Sequence, residues 1–218
     1  MTPYQSLARG VLVALEGIDG AGKSTQGRCL EGIFKEKGYE VMYLHEPSDS
    51  PWGRRLRELK RLGHRSLSPS QELDLFLQDR RYDSAAHIQP ALAARKFVLM
   101  DRYYFSTIAY QGALGIDPDY IRRLNETFAP VPDLVFILMI SPTEGLDRIR
   151  RSRGRTDDVF EREEYLKKVD EVFRTLQGPH IHPIDADQSI DVVTAVLQRT
   201  IQDTLSMCSL APPSQGRE

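Results

Sequence analysis

Eight residues near the start of the chain, Gly17-Ile18-Asp19-Gly20-Ala21-Gly22-Lys23-Ser24, follow the pattern GxxxxGK[ST], and Thr25 comes next. Their setting restricts the fold more than the pattern itself does. The loop leaves an apolar run of strand length, Val11–Leu15, and opens an amphipathic segment, Ser24–Lys37. A glycine-rich turn between strand and helix lets successive backbone N–H groups converge on an anion, and the helix that follows points its positive end at the same place. Gly17 to Thr25 are therefore the expected nucleotide-binding residues. Lys23 is expected to reach the β- and γ-phosphates of ATP, and the Ser24 hydroxyl to hold Mg2+.

The rest of the chain repeats the alternation. Val41–Leu44, Phe97–Met100, Leu134–Ile140 and Ile181–Ile184 are short runs rich in Val, Ile, Leu or Phe, the composition of strands buried on both faces. Helix signals separate them. Ser68-Pro69-Ser70-Gln71 and Ser141-Pro142-Thr143-Glu144 each offer a capping serine, a proline at the first helical position and Gln or Glu at the third. Asp117-Pro118 starts another helix in the same way, and Gly38 stands where the first should stop. Strand and helix in alternation predict an α/β chain of the P-loop NTPase fold, a five-stranded parallel sheet flanked by helices. One domain is expected over residues 1–210, with a small arginine-rich lid at about 150–160 and an unfolded tail over 211–218. Ligands of such sheets bind beyond the carboxyl ends of the strands, so the chemistry belongs just after Leu15, Leu44 and Met100.

Asp101 ends the third of these runs, in the position of the second acid of P-loop proteins, and is expected to join Ser24 in organising the metal. Arg102 follows it and suits an anionic acceptor facing the phosphate loop. A third basic group, Arg148, Arg150, Arg151, Arg153 and Arg155 around Gly154, contains no lysine, which favours forked recognition of phosphate oxygens. It reads as a lid closing over the donor phosphates, with a solvated charged face as the plainer alternative.

Composition excludes other classes. A formal net charge of -2 does not suit a protein that grips a nucleic-acid polymer. No apolar run approaches the roughly 20 residues of a membrane span. Cys29 and Cys208 stand alone and read as reduced thiols, so a cytoplasmic location is expected. His45, His64, His87, His180 and His182 share no metal-ligand spacing with carboxylates or thiols.

Several segments in order resemble the thymidylate kinase family: Glu16 to Gln26 at the phosphate loop, Asp101-Arg102-Tyr103-Tyr104-Phe105-Ser106-Thr107-Ile108-Ala109-Tyr110-Gln111-Gly112, Pro132-Asp133-Leu134, and Ile184-Asp185-Ala186-Asp187-Gln188-Ser189-Ile190. The likeness covers roughly Val11 to Ile201. It implies phosphoryl transfer from ATP to dTMP and a homodimer. By the same resemblance Phe76 stacks on the acceptor base and Arg80, one helical turn on, hydrogen-bonds the base edge. Read from the residues alone, Phe76 fits a core equally well. The resemblance further places Arg102 on the acceptor phosphate, Asp19 near the sugar or its phosphate, Ser106 and Thr107 at the acceptor, and Tyr110 under the sugar. Gly20 stands where some members carry a loop arginine; members without it rely on lid arginines, here Arg151, Arg153 or Arg155.

One segment departs from the family. His45-Glu46-Pro47-Ser48-Asp49-Ser50 keeps the acid and proline but lacks the usual glycine pair and nearby arginine. Asp49 then falls beside the expected acceptor phosphate, with Arg54, Arg55 or Arg57 as compensating cations. Other acceptors stay open at this point: another pyrimidine monophosphate, or a deoxynucleoside with Glu46 as its base. A non-catalytic nucleotide-binding module is the reading from a different class.

Overall fold

A computed structural model describes residues 5–61, 67–153 and 159–208, the side chains of 152, 153 and 159–162 excepted. Five strands, β1 (Val11–Glu16), β2 (Val41–His45), β3 (Phe97–Asp101), β4 (Leu134–Met139) and β5 (Ile181–Asp185), form one sheet in the order β2-β3-β1-β4-β5. Every pairing is parallel. Each strand begins at the residue expected from its apolar run and ends within one residue of the expected end.

Nine helices surround the sheet among the described residues: α1 (Lys23–Glu36), α2 (Pro51–Arg61), α3 (Pro69–Asp83), α4 (Gln89–Ala93), α5 (Tyr104–Gly112), α6 (Pro118–Glu126), α7 (Pro142–Arg153), α8 (Val159–Thr175) and α9 (Ile190–Cys208). A π-helical turn, Ser84–Ile88, joins α3 to α4. It falls just before Pro90, whose missing N–H would interrupt an α-helical ladder there. The caps read from sequence form as expected. Ser68 Oγ accepts from the Gln71 N–H (3.3 Å) while the Gln71 side chain accepts from the Ser68 N–H (2.9 Å). Ser141 Oγ accepts from the Glu144 N–H at 3.1 Å, and Asp117 from the Asp119 N–H at 3.0 Å. Such caps contribute about 1 kcal/mol each. Gly38, at φ 87°, stops α1 by returning its N–H to the Lys35 carbonyl.

The strand order explains where the ligand site lies. The chain moves from β1 to β2 in one direction across the sheet, and from β3 to β4 in the other. Right-handed crossovers then put α1 and the helices after β3 on opposite faces. Accordingly α1 packs with α9, while α5 packs with α3, α6 and α8. Loops leaving adjacent β1 and β3 diverge, which opens a crevice at their carboxyl ends. The register brings the tips level: Leu15 and His45 each pair with Asp101. Residues of β1 and β3 are buried throughout, as befits two strands with neighbours on both sides in the sheet. No helix among the described residues is long and apolar enough to cross a membrane. Gly154, Arg155 and the tail from Ala211 lie outside the described residues.

Candidate active site

The phosphate loop is shaped by backbone that only glycine tolerates well. Gly20 has φ 88°, and a Cβ there would sit 2.2 Å from the Gly145 carbonyl oxygen of α7. Gly145 in turn has no room for a side chain, because its Cβ would meet the Asp19 carbonyl at 2.7 Å. Loop and helix thus touch backbone to backbone. Gly22, the N-cap of α1, supplies no side-chain acceptor, which leaves the first N–H groups of the helix available to an anion. Lys23 lies buried in this cradle, its Nζ donating to the carbonyls of Gly17 (3.0 Å) and Ile18 (2.7 Å). Burial, with the Arg102 guanidinium close by, pushes its ammonium down to about 7.

At the tip of β3 the Ser24 hydroxyl donates to Asp101 Oδ2, joining the two groups expected to organise Mg2+. The Tyr43 hydroxyl donates to the same oxygen at 3.1 Å. A hydroxyl and a carboxylate, both hard oxygen donors at the mouth of the phosphate cradle, fit a magnesium ion that keeps most of its water and rides on substrate phosphates. No cluster of three or more His, Cys, Asp or Glu side chains forms a metal cage among the described residues.

Arg102 follows with φ 70°, a left-handed conformation that costs a non-glycine residue on the order of 1–3 kcal/mol. The turn brings its side chain back over the loop. Nη1 donates to the Gly17 carbonyl (3.3 Å) and the Ser106 hydroxyl (2.8 Å), and Nη2 to Asp19. Lys23 and Arg102 therefore meet at one carbonyl oxygen, that of Gly17, on the same side of the sheet. Tyr110 lies under the guanidinium, 5.3 Å from ring centre to carbon, and its hydroxyl accepts from the Asp19 N–H at 3.1 Å. Lys60, from the last turn of α2, holds the other Asp19 oxygen at 3.1 Å. Burial works to raise the Asp19 carboxyl, yet Lys60, Arg102 and Lys23 together hold it well below the usual carboxylate range. Glu16, the last residue of β1, is fully buried with both oxygens accepting, from the Tyr103 N–H and the Ser106 hydroxyl. Burial pushes its carboxyl up to about 7, against the pull of Ser106 and Arg102.

A second group gathers beyond β2. Arg80, 1% exposed, donates from Nε to both oxygens of Glu46 (3.1 and 2.9 Å) and from Nη2 to Glu46 and Thr107, while Nη1 reaches Asn125 at 2.6 Å. Burial pushes the Glu46 carboxyl up and Arg80 opposes that shift. Both Glu46 oxygens are engaged, so the carboxylate is not presented as a base. Phe76, one turn before Arg80 on α3, is half-buried and is not among the side chains packed on the core.

The segment that departs from the family is tied down by an acid 30 residues away in sequence. Asp79, buried on α3, accepts from the Ser48 N–H (2.8 Å), the Ser48 hydroxyl (2.5 Å) and the Ser50 hydroxyl (2.6 Å). Ser50 Oγ also caps α2 by accepting from the Gly53 N–H at 2.9 Å. Asp49 points outward, its side chain 85% exposed, and pairs with Arg57 at 2.7 Å. Arg54 donates to the Asp49 carbonyl and Arg55 to Glu58, so these three arginines hold the segment and its helix.

In α7 Arg148 ties Glu144 to the turn after β5 through the Ala186 carbonyl (3.0 Å) and Asp187 (3.1 Å). Arg150 pairs with Asp147, and Arg151 with Glu144, each at 2.8 Å. Arg151 is thus placed on its own helix, while the Arg153 side chain and Arg155 lie outside the described residues. Asp79, Lys60, Tyr43 and Asn125 had no motif to mark them; each is found only through its partner across the fold.

Comparison with known proteins agrees with this arrangement. The sequence profile of the thymidylate kinase family matches residues 15–196. A thymidylate kinase of Desulfotalea psychrophila is 43% identical over 198 residues, covering 91% of this chain and 97% of the relative. A probable thymidylate kinase of Archaeoglobus fulgidus is 42% identical over 197 residues, 90% of this chain and 97% of its own. A third, from Akkermansia muciniphila, is 45% identical over 193 residues, 88% and 92% of the two chains.

Proposed function

The chain belongs to the thymidylate kinase family and is a phosphotransferase that phosphorylates dTMP; we propose that it takes the γ-phosphoryl group from ATP, carried with Mg2+, in a direct in-line transfer. The observation that carries the mechanism is the meeting of Lys23 and Arg102 at the Gly17 carbonyl, donor cation and acceptor cation facing one point. A monophosphate acceptor is already an anionic nucleophile at neutral pH, so positioning and charge neutralisation suffice. On this reading the loop N–H groups and Lys23 hold the triphosphate, and Ser24 with Asp101 holds the metal, which when bound neutralises charge on the phosphates. Arg102 holds the acceptor phosphate, and Lys60 adds a second cation on the far oxygen of Asp19. Tyr110 supports the sugar. Thr107 and Arg80, already hydrogen-bonded to one another, take the base edge, and Phe76 takes its face.

The outward turn of Asp49 supports a monophosphate acceptor, since it takes away a negative charge that the sequence placed beside the acceptor phosphate. Engagement of Glu46 by Arg80 speaks against a nucleoside acceptor, which needs a free base near its 5′-hydroxyl. A lid arginine closing over the donor completes the proposal, together with a cytoplasmic homodimer. The aromatic pair Trp52–Tyr82 on α2 and α3, with Tyr82 44% exposed, offers an apolar face for a second copy, which sedimentation equilibrium tests.

The test is ADP release measured across dTMP, dUMP, UMP, CMP, dGMP and thymidine, with Lys23→Ala and Arg102→Ala beside the unaltered chain. Turnover is expected with dTMP and lost in both variants, each still folded by circular dichroism. Near-normal kcat in either variant, or preference for thymidine, would remove the mechanism.

A further inference from the structure

Glu16 has no place in the chemistry above, yet it is a fully buried carboxylate one residue before the phosphate loop. A buried acid is costly unless its oxygens are satisfied. Here both are satisfied by the segment that carries Arg102: the Tyr103 N–H donates to Oε1 at 2.8 Å, and the Ser106 hydroxyl donates to Oε2. Ser106 has one proton to give, and giving it to Glu16 turns its lone pairs toward Arg102 Nη1, which donates to it at 2.8 Å. On the main chain, the Arg102 N–H donates to the Leu15 carbonyl at 3.0 Å, so peptide groups on both sides of Arg102 are fastened to the end of β1. The left-handed φ of 70° at Arg102 lies between those two fastenings. A residue in that region persists only where its surroundings over-determine it.

We propose that Glu16 is a positioning residue: one oxygen fixes the backbone turn at Arg102, the other holds Nη1 through Ser106 while Asp19 holds Nη2, and together they set where the acceptor phosphate is held. The proposal rests on the reading of Arg102 as the holder of that phosphate. It assigns Ser106 a relay between Glu16 and Arg102, where the family resemblance had placed it at the acceptor.

Three variants separate the two arms. Glu16→Gln keeps the shape but replaces one accepting oxygen with a donor. Ser106→Ala cuts only the guanidinium arm and leaves the Glu16–Tyr103 bond, so it remains informative if Glu16→Gln fails to fold. Ser106→Thr keeps the hydroxyl and serves as the rescue. With dTMP varied at saturating MgATP, kcat/KM is expected to fall about 100-fold in Glu16→Gln and Ser106→Ala, the scale of a displaced contact group. The KM for ATP should change less than about threefold, and Ser106→Thr should recover most of the loss. An equal loss toward both substrates, or dTMP kinetics within about threefold of the unaltered chain, overturns the proposal. A second readout needs no turnover. In 15N-arginine spectra of the ligand-free protein the Arg102 Nη1 signal should shift in Ser106→Ala, while Nη2, held by Asp19, keeps its position. An Nη1 signal unmoved in that variant also overturns it. If the unaltered chain failed to phosphorylate dTMP, the function would be wrong while the spectra still judged the positioning.

Discussion

Asp79→Ala should be among the most damaging single substitutions outside the hydrophobic core. The carboxylate accepts one buried N–H and two buried hydroxyls from Ser48 and Ser50. A hydrogen bond to a charged group contributes about 1.5–3 kcal/mol, and a buried donor left without a partner costs about 1–3 kcal/mol. The hydroxyls can rotate toward other acceptors; the Ser48 N–H cannot. A net loss of about 3–5 kcal/mol follows, less than the sum of three bonds because the hydroxyls relax. For a chain of this size each kcal/mol moves Tm by about 2–4 °C, so melting should fall by roughly 10 °C. Thermal and urea unfolding followed by circular dichroism read the loss. The decisive comparison places Asp79→Ala in a Ser48→Ala, Ser50→Ala background. With two of the three donors already gone the same substitution should cost about 2 kcal/mol less. An equal cost in both backgrounds, or a fall in Tm under about 3 °C, would show that this knot of side chains does not hold the segment.

Three further outcomes are expected. Because burial and Arg102 push Lys23 down to about 7, and a bound triphosphate restores the charged form, ATP binding should take up about 0.9 proton at pH 8 but about 0.1 at pH 6. Affinity then falls as pH rises above 7; calorimetry in buffers of different ionisation heat measures the uptake, and none at pH 8 would refute it. Gly53→Ala sets a Cβ 2.1 Å from the Ser48 carbonyl and should destabilise by about 3 kcal/mol, a loss readable in the urea midpoint; an unchanged midpoint contradicts this packing. Lys60→Ala should leave Tm within about 1 °C, since an exposed pair stabilises little. It should nonetheless raise the KM for dTMP by about threefold at low salt, an effect that fades at high salt; an unchanged KM would take Lys60 out of the site.

The parts of this molecule that could be read from sequence are those with local causes. A strand buried on both faces announces itself as an apolar run, and all five runs became strands. The proline-marked caps of α3, α6 and α7 formed because cap and helix are adjacent in the chain. The phosphate loop and the Asp101-Arg102 tip were equally plain, since each follows its own strand. What stayed hidden depends on partners far apart. Asp49 looked like an unwelcome charge at the acceptor because nothing local says that Asp79 pulls Ser48 and Ser50 inward and turns Asp49 out. Phe76 fits a core or a ligand wall equally well by sequence, and the fold leaves it half-buried and outside the core cluster. Lys60 reaches Asp19 across 41 residues, through the way α2 lies over the loop and not through any spacing in the sequence.

The contact between Gly20 and Gly145 limits how this chain can be rebuilt. With the Gly145 oxygen 2.2 Å from where a Cβ at position 20 would be, an arginine cannot be installed there while α7 keeps its place. Placing a cation in the loop would require both backbones to separate at once, a change no single substitution makes. Whatever tilts the base of α7 must press on the peptide beside Asp19, so that helix cannot shift without displacing the loop.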